Sequence, residues 1–128
     1  MERLALDSNA FIAYRSGEAK IRSFIENAQL LFLPMTVMGE LLYGAKNSTR
    51  VAENVQAVYE FTQLCMPVYI DESVAARYAD IRQHLKQKGS PIPENDIWIA
   101  ASCLEVEAAL LTQDNHFSEI EGLVLLGW

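Results

Sequence analysis

The chain has 128 residues, 10 Lys and Arg against 17 Asp and Glu, and a formal net charge of −7. That length suits one domain, residues 1–128, and a hydrophobic content of 51% fills a core and excludes a disordered chain. Its longest apolar stretches, such as 30–35, are too short to span a bilayer, and the acid at position 2 without a long apolar core excludes a signal peptide.

In chain order, the first apolar run predicts a strand over 3–6, closed by Asp7, with Ser8 and Asn9 leading into a helix. A second strand is expected over 30–33. Residues 36–45 then have helical composition, with Glu40 set among Val37, Met38, Leu41, Leu42 and Tyr43. Val51, Val55, Val58, Tyr59 and Thr62 step at helical spacing. A third strand is expected over 67–70. Asp71 reads as the cap of a helix over 73–88, whose apolar stripe is Val74, Tyr78, Ile81 and Leu85. The cluster Gly89-Ser90-Pro91-Ile92-Pro93 reads as a loop, with Pro93 suited to the first position of a helix over 94–106. Asp96 falls in the first turn of that helix. A fourth strand is expected over 109–112, then Asp114, a short helix and a fifth strand over 123–126.

Strands with little polar alternation, separated by helices, predict an α/β fold with a parallel sheet covered on both faces. Ligands of such sheets gather at the carboxyl ends of the strands. Asp7 and Asp114 both stand at that edge. Each acid alone has an ordinary explanation: a turn residue for Asp7 or Asp114, a cap or dipole partner for Asp96, a solvated side chain for Glu40. Their joint pattern is more informative. Four carboxylates near apolar flanks repel one another and resist burial, and a divalent cation removes both difficulties. Hard carboxylate oxygens suit Mg²⁺, and no cluster of His or Cys suggests Zn²⁺. The two cysteines, Cys65 and Cys103, form no CxxC pair and read as buried thiols of a cytoplasmic protein. A pI of 4.7 excludes coating of nucleic acid by bulk charge, but not a nucleic-acid enzyme whose acidic site holds metal.

The acids in this order resemble the PIN domain, and within it the VapC-type toxins of toxin–antitoxin pairs. The resemblance rests on Leu6-Asp7-Ser8-Asn9, on Glu40 in its apolar helix, on Asn95-Asp96-Ile97-Trp98-Ile99-Ala100-Ala101, and on Thr112-Gln113-Asp114-Asn115-His116-Phe117. It covers essentially the whole chain. It implies a three-layer α/β/α fold and a Mg²⁺- or Mn²⁺-dependent endoribonuclease. The acidic quartet would be Asp7, Glu40, Asp96 and Asp114, with Asp7, Asp96 and Asp114 the primary metal ligands. Glu40 would bind a second ion or orient the water. Ser8, Asn9 and Thr112 match polar positions that orient ligands or phosphate, and Asn95 has no assigned role. The resemblance further implies a VapB-like antitoxin seated in a groove near the acids, an RNA substrate, no membrane, and a tendency to form homodimers.

Lys46 and Arg50, just beyond the Glu40 helix, are the foremost phosphate-contact candidates. His116 attracts attention as a general base, but beside Phe117 a packed or capping role weighs as heavily. Neither it nor His84 is assigned a catalytic role. The alternative function is a catalytically silent PIN-like binding module, against which the intact quartet counts. A receiver domain or aspartate phosphatase fits poorly, because position 9 is Asn and no Lys follows Lys88.

Overall fold

A computed structural model describes residues 3–128. Five strands form one parallel sheet: β1 (Arg3–Leu6), β2 (Leu30–Pro34), β3 (Met66–Val68), β4 (Ala109–Leu111) and β5 (Leu125–Leu126). Between them lie α1 (Ser8–Ser16), α2 (Ala19–Asn27), α3 (Met35–Lys46), α4 (Val51–Thr62), α5 (Glu72–Lys88) and α6 (Glu94–Glu105), and a 3₁₀ turn covers Asn115–Glu119. The strand order is β3-β2-β1-β4-β5. The chain builds outward from β1 through β2 to β3, then crosses back to β4 on the other side of β1. With that strand order, the right-handed rule for parallel crossovers puts α1–α4 on one face and α5 with α6 on the other, an α/β/α layering. The order of elements matches the expectation throughout.

The centre of the sheet is dry. Leu4, Ala5, Leu6, Leu110 and Leu111 are buried on β1 and β4, and Ile99, Ala100, Ala101 and Cys103 of α6 are buried too. Edges depart from the expected double burial. Met66 and Pro67 of β3 are exposed, and β5 is only half-buried. Pro67 is tolerated there because an edge strand leaves one row of N–H groups unpaired. The third strand ends at Val68 rather than residue 70, since Tyr69 and Ile70 turn outward before Asp71 caps α5 by accepting from Val74 N at 2.9 Å. The fifth strand spans two residues rather than four.

In α4 the buried residues are Val58 and Phe61, whereas Val51 and Tyr59 of the expected stripe face solvent. Phe61 meets Phe11 of α1 edge-on, with ring centroids 5.0 Å apart. That aromatic contact, rather than the β-branched row alone, fixes the rotation of the helix. Cys103 is buried as expected, but Cys65 is only half-buried; both are free thiols. No helix among the described residues is long and apolar enough to cross a membrane.

Candidate active site

The reversal of strand order falls between β1 and β4, and open α/β sheets place their clefts at such a point. Asp7 leaves the carboxyl end of β1 there, its backbone N–H donating to Leu111 O at 3.1 Å. Its side chain does two things. Oδ1 accepts from Ser8 N at 2.8 Å, capping α1, and Oδ2 accepts from the Thr112 hydroxyl at 2.7 Å. The Thr112 oxygen in turn accepts from Asp114 N at 3.0 Å. One buried hydroxyl therefore ties the two strand ends together and sets the separation of their carboxylates. The fourth strand ends at Leu111, one residue earlier than expected, although Thr112 N still donates to Leu126 O at 3.1 Å.

Asp114 caps the 3₁₀ turn by accepting from His116 N at 2.9 Å. Asp96 lies in the first turn of α6 but is not its cap. That position belongs to Pro93, one residue before the helix rather than at its first position, and the Asp96 backbone N–H donates to Pro93 O at 3.1 Å. The Asp96 carboxylate is free to point into the cleft, buried to 7% exposure beside Asp7 at 6%. Glu40 comes from α3. The Ser8 hydroxyl donates to its Oε1 at 2.7 Å, and Asn95 Nδ2 donates to Oε2. Two neutral donors, one from α1 and one from α6, thus hold Glu40 across the mouth of the site.

The four acids line one open cleft of about 420 Å³, together with Ser8, Asn9, Ile12, Pro93, Asn95 and His116. Among the described residues lining it there is neither Lys nor Arg. Lys46 and Arg50 are exposed and not part of its wall, and the Arg50 guanidinium lies 3.4 Å from Glu53. Burial pushes the Asp7 carboxyl above its ordinary range, against hydrogen bonds from Thr112 and Ser8 that lower it, with Glu40 and Asp114 adding to the rise. Burial likewise raises Asp96, opposed by the His116 hydrogen bond and assisted by the charges of Asp114 and Asp7.

Two residues whose roles the sequence left open also contribute. Asn95 clamps Glu40, and the His116 imidazole enters the cleft, its Nδ1 3.1 Å from Asp96 Oδ2 and 3.1 Å from Asp114 Oδ1. His116 is neither packed nor merely capping; Phe117 takes the core position, fully buried. The signal available was the position of His116 two residues past Asp114. Its other partner, Asp96, is 20 residues away in sequence, and Glu40 is 55 residues from Asn95.

The donor set suits a divalent cation. Carboxylate oxygens converge with neither Lys nor Arg among them, and desolvation disfavours their ionised forms in the absence of a cation. Asn9 lines the same cleft, and its Oδ1 is buried without a hydrogen-bond donor, a further hard oxygen for an ion or its water. A model of the PIN domain family matches residues 4–123. The chain belongs to the PIN domain family. It is 29% identical to "Ribonuclease VapC1" of Haemophilus influenzae over 96% of each chain. It is 28% identical to "Ribonuclease VapC5" of Mycobacterium tuberculosis, covering 91% of this chain and 87% of that one. Among solved structures, VapBC-1 from nontypeable Haemophilus influenzae superposes with a TM-score of 0.87 at 27% identity, covering 98% of this chain and 97% of that one. DNA-bound VapBC from Salmonella typhimurium superposes at 0.90 with 24% identity over 100% and 99%, which bears on the fold.

A pH dependence follows for the PIN domain without metal. Asp7 and Asp96 have folded-state pKa values above the ordinary 3.8, so the folded chain binds more protons than the unfolded one just above that pH. Their contribution to stability is fully present below 3.8 and is lost as pH rises through the raised values. Thermal unfolding in a chelator should show the Tm of Asp96→Asn gaining on the parent as pH rises from about 4 towards 7. A constant difference would contradict the shift.

Proposed function

We propose that this PIN domain is a divalent-metal-dependent endoribonuclease and the toxin of a toxin–antitoxin pair, acting in the cytoplasm. The observation that carries this reading is the convergence of Asp7, Glu40, Asp96 and Asp114 on one cleft with neither Lys nor Arg in its wall. The names of its relatives agree with it. Asp7, Asp96 and Asp114 would hold Mg²⁺ or Mn²⁺. A bound ion would supply an activated water and neutralise charge on the scissile phosphate.

The chain's own residues do the rest. Asp7 is fixed by Ser8 N and Thr112, so it offers a rigid oxygen at the floor of the cleft. Glu40, held by Ser8 and Asn95, faces the mouth, where it can orient the attacking water and accept its proton. Attack on phosphorus expels a ribose oxygen, leaving one product with a terminal phosphate and the other with a hydroxyl. No 2′-hydroxyl attack is involved, so cleavage products should carry no 2′,3′-cyclic phosphate. End-group analysis of cleaved RNA tests this, and cyclic ends would overturn the water mechanism. Lys46 and Arg50 would meet the RNA backbone outside the cleft. Replacing both with Ala should weaken RNA binding several-fold and flatten its salt dependence; an unchanged salt slope would remove them from the interface.

The antitoxin reading has a specific support. A second groove, about 490 Å³, runs between α1, α3 and α4 and shares Ser8, Ile12 and Glu40 with the acidic cleft. Ile12 in its wall and Tyr43, on α3, are 62% and 72% exposed, large apolar areas for a free chain. An amphipathic partner segment would cover them and bring a cation to the acids. Self-association would use another face, where Tyr59, Met66 and Tyr69 are exposed beside the β3 edge. Tyr69→Asp should turn a dimer into a monomer in sedimentation measurements, and an unaltered dimer would place the interface elsewhere.

A further inference from the structure

We propose that His116 is a direct ligand of the metal in the acidic cleft, and that its nitrogen makes the site favour a transition ion such as Mn²⁺ over Mg²⁺. The inference rests on the reading of the cleft as a metal site and names a donor that the acidic quartet leaves out. Nδ1 of His116 stands 3.1 Å from Asp96 Oδ2 and 3.1 Å from Asp114 Oδ1, and one atom from each of the three side chains fits within 4.8 Å. Neighbouring ligands about 2.1 Å from an octahedral ion are separated by about 3.0 Å. The spacing already present, which is also that of an N–H···O hydrogen bond, accommodates two adjacent ligand pairs without rearrangement of the three side chains.

Local structure holds the ring there. Asp114 accepts from His116 N, which starts the 3₁₀ turn, and the next residue, Phe117, is buried to 0% exposure in the core. The ring is tethered at its backbone by the same carboxylate that it would share the ion with. Its side chain remains 52% exposed, so an ion can arrive and leave without unfolding. The Nδ1 proton that serves the hydrogen bond to Asp96 must leave or move to Nε2 when an ion binds, and the neutral imidazole then presents its lone pair at Nδ1.

The chemistry of the donor set then decides selectivity. Mg²⁺ prefers all-oxygen surroundings and gives up water reluctantly. An imidazole nitrogen is a softer donor, and replacing one carboxylate or water with it favours first-row transition ions. The carboxylates of Asp7, Asp96 and Asp114 keep enough oxygen character for Mn²⁺.

The test uses the full chain, free of partner and RNA, titrated calorimetrically with Mn²⁺ and with Mg²⁺, followed by pulsed EPR of bound Mn²⁺. The parent protein should bind Mn²⁺ at least about tenfold more tightly than Mg²⁺ and show the nitrogen modulation of a bonded imidazole. His116→Gln should lose the modulation and about tenfold in Mn²⁺ affinity while Mg²⁺ affinity changes little. His116→Asp should also lose the modulation, but restore tight binding and move the preference towards Mg²⁺. Mn²⁺ binding that depends on Asp96 but shows no nitrogen modulation would overturn the role of His116 and leave the metal site standing. No binding of either ion by folded parent protein would overturn both.

Discussion

Asp96→Asn should abolish RNA cleavage, by about 10³-fold or more, while leaving the protein folded. The substitution keeps the shape of the side chain and removes one charge from the set that would hold the metal. A metal that activates water and steadies the transition state is worth several kcal/mol, and each 1.4 kcal/mol is about tenfold in rate. Stability should move the other way. Asp96 is buried among like charges, with its carboxyl pushed up by desolvation, so neutralising it relieves the metal-free fold. Cleavage assays and thermal unfolding on the same preparation check both halves. Lost activity with an equal or higher Tm in chelator is the expected result. Lost activity with a collapsed Tm would make Asp96 a structural residue, and retained activity would remove it from the site.

Phe117→Ala should have the largest effect on stability through a residue that also seats the site. Phe117 is fully buried, and truncating such an aromatic costs about 3–5 kcal/mol through lost burial and the cavity left behind. For a chain of this length that lowers Tm by roughly 12–20 °C. The loss should extend to function. Phe117 anchors the 3₁₀ turn that Asp114 caps and that contains His116, and the Thr112 hydroxyl links Asp114 back to Asp7. At a temperature where the variant is still folded, metal affinity should remain below that of the parent. Calorimetry with Mn²⁺ on folded Phe117→Ala decides the point, and unchanged affinity would show that the turn keeps its shape without the anchor.

What could be read from the sequence follows from how local each signal is. The strand-end position of Asp7 and the placement of Asp96 near a helix start are set by a few neighbouring residues, and both lie where expected. Glu40 could be placed on a helix with apolar flanks, because the pattern around it is short-range. The clamp on Glu40 could not, since Asn95 reaches it only after α3 and α6 meet at the mouth of the cleft. The role of His116 stayed open for the same reason. Beside a core phenylalanine its neighbours suggest packing, and only the fold brings Asp96 within 3.1 Å. Strand ends were less legible than strand centres. Tyr69 and Ile70 have strand-forming side chains, yet they lie beyond the edge of the sheet, where nothing covers them. In α4 the helical spacing was read correctly and Val58 is buried with Val55 packed beside the core, but Val51 and Tyr59 of the same stripe are not. Phe61 outweighs Val51 and Tyr59 because it has Phe11 to pack against.

The most direct test of the acidic cleft as a metal-dependent nuclease centre is cleavage of total cellular RNA by the purified chain, stripped of any partner. The reaction is run in EDTA, then after restoring Mg²⁺ or Mn²⁺. Discrete RNA fragments that appear only with metal, and not with Asp96→Asn, are the predicted result. Cleavage that persists in EDTA, or intact RNA under both metals with folded protein, would contradict it.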